Sequence, residues 1–123
     1  MFKKAAALAF AVVLAAVPAA AHEAGKGRNG GQQVDAGKYH AELVVDGTTN
    51  VVVYLSDEND KPIPAAGFKA NATFVLGGKA ARFALAATEG SKLVGTAPAP
   101  VKRGVKGAVQ LTAPDGSTAQ AKY

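Results

Sequence analysis

Three residues near the start of the chain, His22, His40 and Glu42, have side chains that could bind a metal ion. Imidazole nitrogens and carboxylate oxygens suit divalent ions, and Cu(II) prefers a tetragonal set of nitrogen and oxygen donors. As the first residue of a processed protein, His22 would add its α-amine as a second nitrogen donor. These residue types therefore predict a Cu(II) site formed by His22, His40 and Glu42. The alternative interpretation is that His22 comes first by accident and that His40 is an ordinary exposed strand residue.

Residues 1–21 have the features of a secretory signal peptide. Two lysines precede an apolar run over residues 5–17, and Ala19 and Ala21 fit the cleavage pattern of small residues. Cleavage after Ala21 makes His22 the first residue and delivers the protein to the periplasm. Cleavage after Ala19 is the alternative. It places His22 third, where the amine, two amide nitrogens and the imidazole again suit Cu(II) or Ni(II). The apolar run is shorter than the roughly 20 residues of a membrane-spanning helix, so we expect no membrane span after signal removal.

The composition limits the kind of metal site that the processed chain can form. The chain has no cysteine, and its one methionine is Met1, which leaves with the signal peptide. Without a thiolate or thioether, bound copper should be Cu(II) on nitrogen and oxygen rather than Cu(I) on sulfur. The absence of cysteine also means that no disulfide supports the exported fold. The roughly 100 residues that remain are enough for one domain.

The sequence gives little support to an enzyme or to a nucleic-acid-binding protein. There is no cysteine nucleophile, and the serines lie in or beside predicted turns without the glycine context of a nucleophile elbow. The acidic residues within 57–60 lack the spacing of an EF-hand loop. The net charge is +5, but the basic residues are scattered and no aromatic residues lie among them. We therefore predict neither catalysis nor nucleic-acid binding.

From Val34 onward, short runs of alternating or β-branched residues are separated by Gly, Pro, Asn and Asp. This is the pattern of antiparallel strands, and no segment has the period of an amphipathic helix. The pattern predicts an all-β fold, a small antiparallel β-sandwich of about seven strands with immunoglobulin-like architecture. We assign residues 1–21 to the signal peptide, 22–31 to a flexible Gly-rich arm and 32–123 to the sandwich.

Strand alternation also predicts which side chains face the core. On either side of a glycine hairpin, Phe74 and Phe83 should face each other in the core. In an earlier strand, the same alternation places His40 and Glu42 on the outward face, roughly 6 to 7 Å apart. The flexible arm is long enough to bring His22 onto that face and complete the metal site.

Two segments resemble small exported proteins and domains found near bacterial heavy-metal efflux systems. The first covers 29–34 (NGGQQV) and 37–44 (GKYHAELV), and it is similar to a Gly-Gly-Gln-Val segment before a Tyr/Leu-His-x-Glu-Leu strand. The second, 53–64 (VYLSDENDKPIP), resembles the V-Y-x-x-D…G-K-P-V hairpin of those modules and of prealbumin-like sandwiches. In this hairpin, Asp60 stands where Gly is usual, so the turn type should differ.

The resemblance implies a periplasmic β-sandwich with a metal-related role, and its matched positions are His40 and Glu42. His22 is not part of the pattern. A second hypothesis needs no metal, because the predicted core is small and Val44 and Val52 point outward. Such a domain would dock on an efflux or envelope partner through a sheet edge or face.

Overall fold

The computed structural model describes residues 25–123, which form β-strands joined by turns, with no helix among them. The all-β prediction is confirmed for this part of the chain. The predicted signal peptide and His22 lie outside the described residues. Residues 25–123 contain no helix that is long and apolar enough to cross a membrane. The strands are β1 (Gly25–Lys26), β2 (Gln32–Ala36), β3 (Tyr39–Val45), β4 (Asn50–Asp57), β5 (Lys69–Leu76), β6 (Lys79–Ala87), β7 (Lys92–Thr96), β8 (Gly107–Thr112) and β9 (Thr118–Lys122).

These nine strands form one antiparallel sheet in the order β1-β2-β3-β4-β7-β6-β5-β8-β9. This differs from the predicted sandwich of about seven strands in two sheets. The two halves stay connected because the end of β6 pairs with β7, Ala86 opposite Val94 and Ala87 opposite Leu93. The sheet curls so that β2 and β9 pack together, and both halves contribute to one hydrophobic core.

The alternation seen in the sequence builds this core. In β4, Val51, Val53 and Leu55 are buried while the residues between them are more exposed. In β5, Ala72 and Phe74 have no exposed surface, and their neighbours in the strand are exposed. The period of two therefore predicts the inward face correctly in both halves of the sheet.

Aromatic rings pack against one another in the half of the core formed by β5, β6 and the residue after β9. The ring of Phe74 packs edge-on against Phe83, with centroids 5.7 Å apart, and against Tyr123, with centroids 6.4 Å apart. The contact between Phe74 and Phe83 agrees with the predicted hairpin. Phe83, however, is only partly buried at the margin of the core, which lowers its expected contribution to stability.

The Gly-rich segment, predicted to be a flexible arm, is folded from residue 25 onward. β1 pairs with β2, and the turn that follows is closed by a hydrogen bond of 2.8 Å from Gly27 N to Gly31 O. The prediction rested on the lack of apolar side chains to bury. This segment is instead held by hydrogen bonds to the sheet, which hydropathy does not reveal.

The side chain of Tyr123, which follows β9, forms a hydrogen bond to β3 in the opposite half of the sheet. Its hydroxyl donates a hydrogen bond of 3.0 Å to the carbonyl of Ala41. Burial, and then the negative charge of Glu42, raise the pKa of this phenol above its ordinary value. Since the folded-state pKa is raised, the contribution to stability is complete below the unfolded pKa, about 10. It is lost as the pH rises towards the folded-state pKa.

We therefore expect Tyr123→Phe to lower the free energy of unfolding by about 1 kcal/mol at neutral pH, because one buried acceptor loses its donor. The variant should also lose less stability than the wild type when the pH is raised above about 10. Urea denaturation at pH 7 and at pH 10.5 measures both effects. Parallel losses of stability in the two proteins at high pH would contradict this role of the phenol.

Candidate functional site

His40 and Glu42 lie on one face of β3, as predicted, but both are buried, with 8% and 3% of their surface exposed. The prediction treated this face as open to solvent. In the structure, the 27–31 turn donates hydrogen bonds to Glu42, and Asp60 of the 57–62 turn contacts His40. His40 and Glu42 therefore belong to two separate polar clusters.

The imidazole of His40 lies between two carboxylates. Its Nδ1 is 2.7 Å from Asp60 Oδ1, and its Nε2 is 3.2 Å from Asp35 Oδ1. Asp35 is the residue directly opposite His40 on β2. Gln33 donates a hydrogen bond of 2.8 Å to the same Asp60 oxygen and so helps to fix that carboxylate. We call these four residues the His40 cluster.

The contacts in the His40 cluster determine which ring nitrogen donates. An ionised carboxylate can only accept, so the 2.7 Å contact to Asp60 requires a proton on Nδ1. In the neutral imidazole, Nε2 is then an acceptor. When the ring is protonated, both nitrogens donate and the 3.2 Å contact between Nε2 and Asp35 is an ion pair. When the ring is neutral, Nε2 and the Asp35 oxygen are two electron-pair donors 3.2 Å apart, and a metal ion between them makes their approach favourable.

Asp60 holds its place in the cluster through an unusual backbone. Its φ is +63°, the only positive value for a residue other than glycine in the described chain. The left-handed conformation costs an L-residue about 1 kcal/mol, less for Asp and Asn. This is the position where the resembling hairpin has Gly, so the turn keeps the conformation that Gly favours and gains a carboxylate. That carboxylate is placed against His40.

The hydrogen bond from His40, followed by that from Gln33, lowers the pKa of Asp60 below its ordinary value. A lowered folded-state pKa stabilises the protein above the unfolded value, and this contribution is lost as the pH falls through the folded-state value. Asp60 therefore remains a carboxylate at neutral pH and continues to hold the imidazole.

The carboxylate of Glu42, predicted as a metal ligand, contacts the 27–31 turn. Its carboxylate accepts hydrogen bonds from Asn29 N at 2.9 Å, Asn29 Nδ2 at 3.0 Å and Gly31 N at 2.7 Å. A β-carbon at Gly27 would overlap the Glu42 side chain, and one at Gly31 would overlap the backbone of β3. The glycines thus let the turn lie directly on Glu42. With its oxygens occupied in this way, Glu42 positions the turn.

Within the described residues, His40 and Glu42 do not form a chelating group on their own. Among residues 25–123, no group of three or more His, Asp or Glu side chains is arranged to hold a metal ion. Asp60 and Asp35 contact opposite nitrogens of the His40 ring, so they do not converge on one point. A chelating site would need donors from the preceding segment, where His22 is.

Chain connectivity limits how far His22 can be from the His40 cluster. Gly25 lines the same surface depression, of about 150 Å³, as Asp35, His40 and Asp60. His22 precedes Gly25 by three residues, and three residues span at most about 11 Å. That distance is short enough for His22 to reach the depression.

Sequence reasoning missed Asp35 and Asp60, the two carboxylates that contact His40. Asp35 lies in β2, which was not predicted as a strand, so its pairing opposite His40 could not be foreseen. Asp60 carried a usable signal, since a carboxylate at a turn position that favours Gly indicates a role for that side chain.

No protein-family model matches the sequence, and no match is found among curated proteins or solved structures.

Proposed function

We propose that this chain is an exported protein that binds Cu(II) in the periplasm through His22 and His40, as an accessory of metal efflux or resistance. Asp35 replaces Glu42 as the carboxylate ligand in this proposal. The resemblance of 29–44 to exported proteins near efflux systems supports a metal-related role. The processed amino terminus would supply one or two further nitrogen donors beside His40.

The observation that carries the proposal is the 3.2 Å separation between His40 Nε2 and Asp35 Oδ1. Metal–ligand bonds of about 2.0–2.2 Å, at right angles, place two neighbouring donors about 3 Å apart. Asp60 on Nδ1 matches the carboxylate that commonly orients a metal-binding imidazole and raises its basicity. A proton shared by Nε2 and Asp35 would be displaced when the metal binds.

The test is calorimetric titration of the processed protein with Cu(II), after amino-terminal sequencing has fixed its first residue. We expect His22→Ala and His40→Ala to weaken binding at least 100-fold, and Asp35→Asn and Asp60→Asn about 10- to 100-fold. Glu58→Gln is the matched control, because Glu58 is an exposed carboxylate in the same turn as Asp60. It should bind as the wild type does.

Two results would refute the metal site. One is weak binding, in the millimolar range, that is equal in the wild type and in the His22 and His40 variants. The other is a loss of Cu(II) affinity in Glu58→Gln as large as that in Asp35→Asn, which would indicate a general electrostatic effect.

Because protons compete with the metal for nitrogen donors, we also expect the Cu(II) affinity to fall as the pH is lowered from about 7 to about 5.

The docking hypothesis has its own structural support at the edge of the sheet. β1 (Gly25–Lys26) is the end strand of the sheet, its two residues are exposed, and no described strand pairs with its outer edge. An extended segment of a periplasmic partner could pair there. Capture of the same partner with and without a chelator, by a protein that purifies without metal, would favour docking over metal binding.

A further inference from the structure

The outer face of one half of the sheet carries no carboxylate. It is formed by the outward residues of β5, β6, β8 and β9, which alternate with core residues such as Ala72 and Phe74. We call this surface the cationic face. Its residues are Lys69, Asn71, Thr73, Val75, Ala80, Arg82, Ala84, Ala86, Ala108, Gln110, Thr112, Thr118, Gln120 and Lys122.

The strand register arranges these side chains in rows across the sheet. Arg82, Thr73, Ala108 and Lys122 occupy neighbouring positions on four successive strands. With strands about 4.8 Å apart, the Cα atoms of Arg82 and Lys122 in this row are separated by about 14 Å. The next row contains three amides, and its members are Ala84, Asn71, Gln110 and Gln120.

The polar groups of the cationic face are available to a ligand. No side chain of this face makes a hydrogen bond or an ion pair within the described chain. Small residues such as Ala84 and Ala108 keep the centre of the face low, and a shallow depression of about 440 Å³ lies there. Arg82 and Gln120 are among the residues that line it.

The residue types of the cationic face favour one class of polyanionic ligand over others. It has no aromatic residue on which a nucleobase could stack. Val75 is the one exposed large apolar side chain of the described residues, so there is no apolar patch to enter a bilayer or to anchor a protein partner. Three cations with amides and hydroxyls between them suit a chain that carries both carboxylates and hydroxyl groups.

We propose that the cationic face binds an acidic polysaccharide laid across strands β6, β5, β8 and β9. Arg82, Lys122 and Lys69 contact uronate carboxylates, and the row of amides hydrogen-bonds the sugar hydroxyls. This site shares no residue with the His40 cluster. It therefore does not depend on the proposed metal site.

The experiment measures binding of the processed protein to alginate oligomers, a polyuronate, with neutral dextran as the comparison. A chelator is present throughout because alginate itself binds divalent ions. We expect the double variant Arg82→Glu with Lys122→Glu to weaken alginate binding at least about tenfold, through repulsion of the carboxylates. The matched control is Lys38→Glu with Lys61→Glu, which changes the net charge equally on exposed residues outside this face. It should change the affinity by less than about twofold.

Chemical-shift changes on adding alginate should concentrate at the side-chain amides of Asn71, Gln110 and Gln120. His40→Ala should leave alginate binding unchanged, so this proposal and the metal site fail separately. Three outcomes would overturn the proposal: no binding to alginate, equal losses in the two double variants, or tighter binding to phosphatidylglycerol vesicles than to alginate. If the glutamate double variant does not fold, Arg82→Gln with Lys122→Gln serves instead and should again weaken binding more than Lys38→Gln with Lys61→Gln.

Discussion

Phe74→Ala should lower the free energy of unfolding by about 3–5 kcal/mol, because it removes a large, fully buried side chain and leaves a cavity. The ring of Phe74 has no exposed surface and contacts the rings of Phe83 and Tyr123. These three residues belong to β5, β6 and the residue after β9, so the cavity would open where the strands of one half meet the core. Urea denaturation followed by circular dichroism measures the loss.

Phe83→Ala is the matched comparison, since it removes the same ring from the other side of the contact. Phe83 lies only partly within the core, so its truncation should cost less, about 1–2 kcal/mol, because less apolar area is removed from water on folding. The sequence alone places Phe83 in the core opposite Phe74, and a fully buried ring there would carry the same cost of about 3–5 kcal/mol. Equal denaturation midpoints for the two variants, with unchanged slopes, would show that burial does not rank these positions.

The alternation of apolar residues was enough to predict the inward faces of β3, β4 and β5, because a half-buried strand must repeat every two residues. The connection between the halves could not be predicted. It depends on two residue pairs, Ala86 with Val94 and Ala87 with Leu93, and an alanine carries no sequence signal that it connects the two halves of one sheet. Strand count and sheet closure are decided by such long-range pairings, which leave no local pattern.

The candidate site was predicted in part, for a related reason. His40 and Glu42 were identified from their residue types, and they do share a face. Their burial was missed because the residues that cover them, Asn29 and Asp60, lie in turns. The position and conformation of a turn depend on backbone geometry and hydrogen bonding rather than on hydropathy. Glu42, two residues after His40 on the same face, was predicted as a ligand from its residue type. Its hydrogen bonds to the Gly-rich turn could not be predicted in the same way.

Glu42→Ala should therefore destabilise the amino-terminal turn more than any other part of the described chain. The substitution leaves the N–H groups of Asn29 and Gly31 without their acceptor, and each unsatisfied, partly buried donor costs about 1–3 kcal/mol. The stability of the turn in Glu42→Gln should lie between that in Glu42→Ala and that in the wild type. The glutamine amide keeps one acceptor oxygen but turns a donor towards the other N–H groups. Glu58→Gln, which alters an exposed carboxylate, is the control.

Amide hydrogen exchange followed by NMR distinguishes this positioning role from that of a metal ligand. We expect Asn29 and Gly31 to exchange faster in both Glu42 variants without metal, while the amides of β5 and β8 keep nearly wild-type rates. Loosening of the turn would then reduce Cu(II) affinity indirectly, because the turn fixes where the chain leaves β2 towards His22. If Glu42 were itself a ligand, Glu42→Gln would change the spectrum of bound Cu(II) and leave the exchange of Asn29 and Gly31 in the metal-free protein untouched. That second result would return Glu42 to the ligand set and remove the structural reason for preferring Asp35.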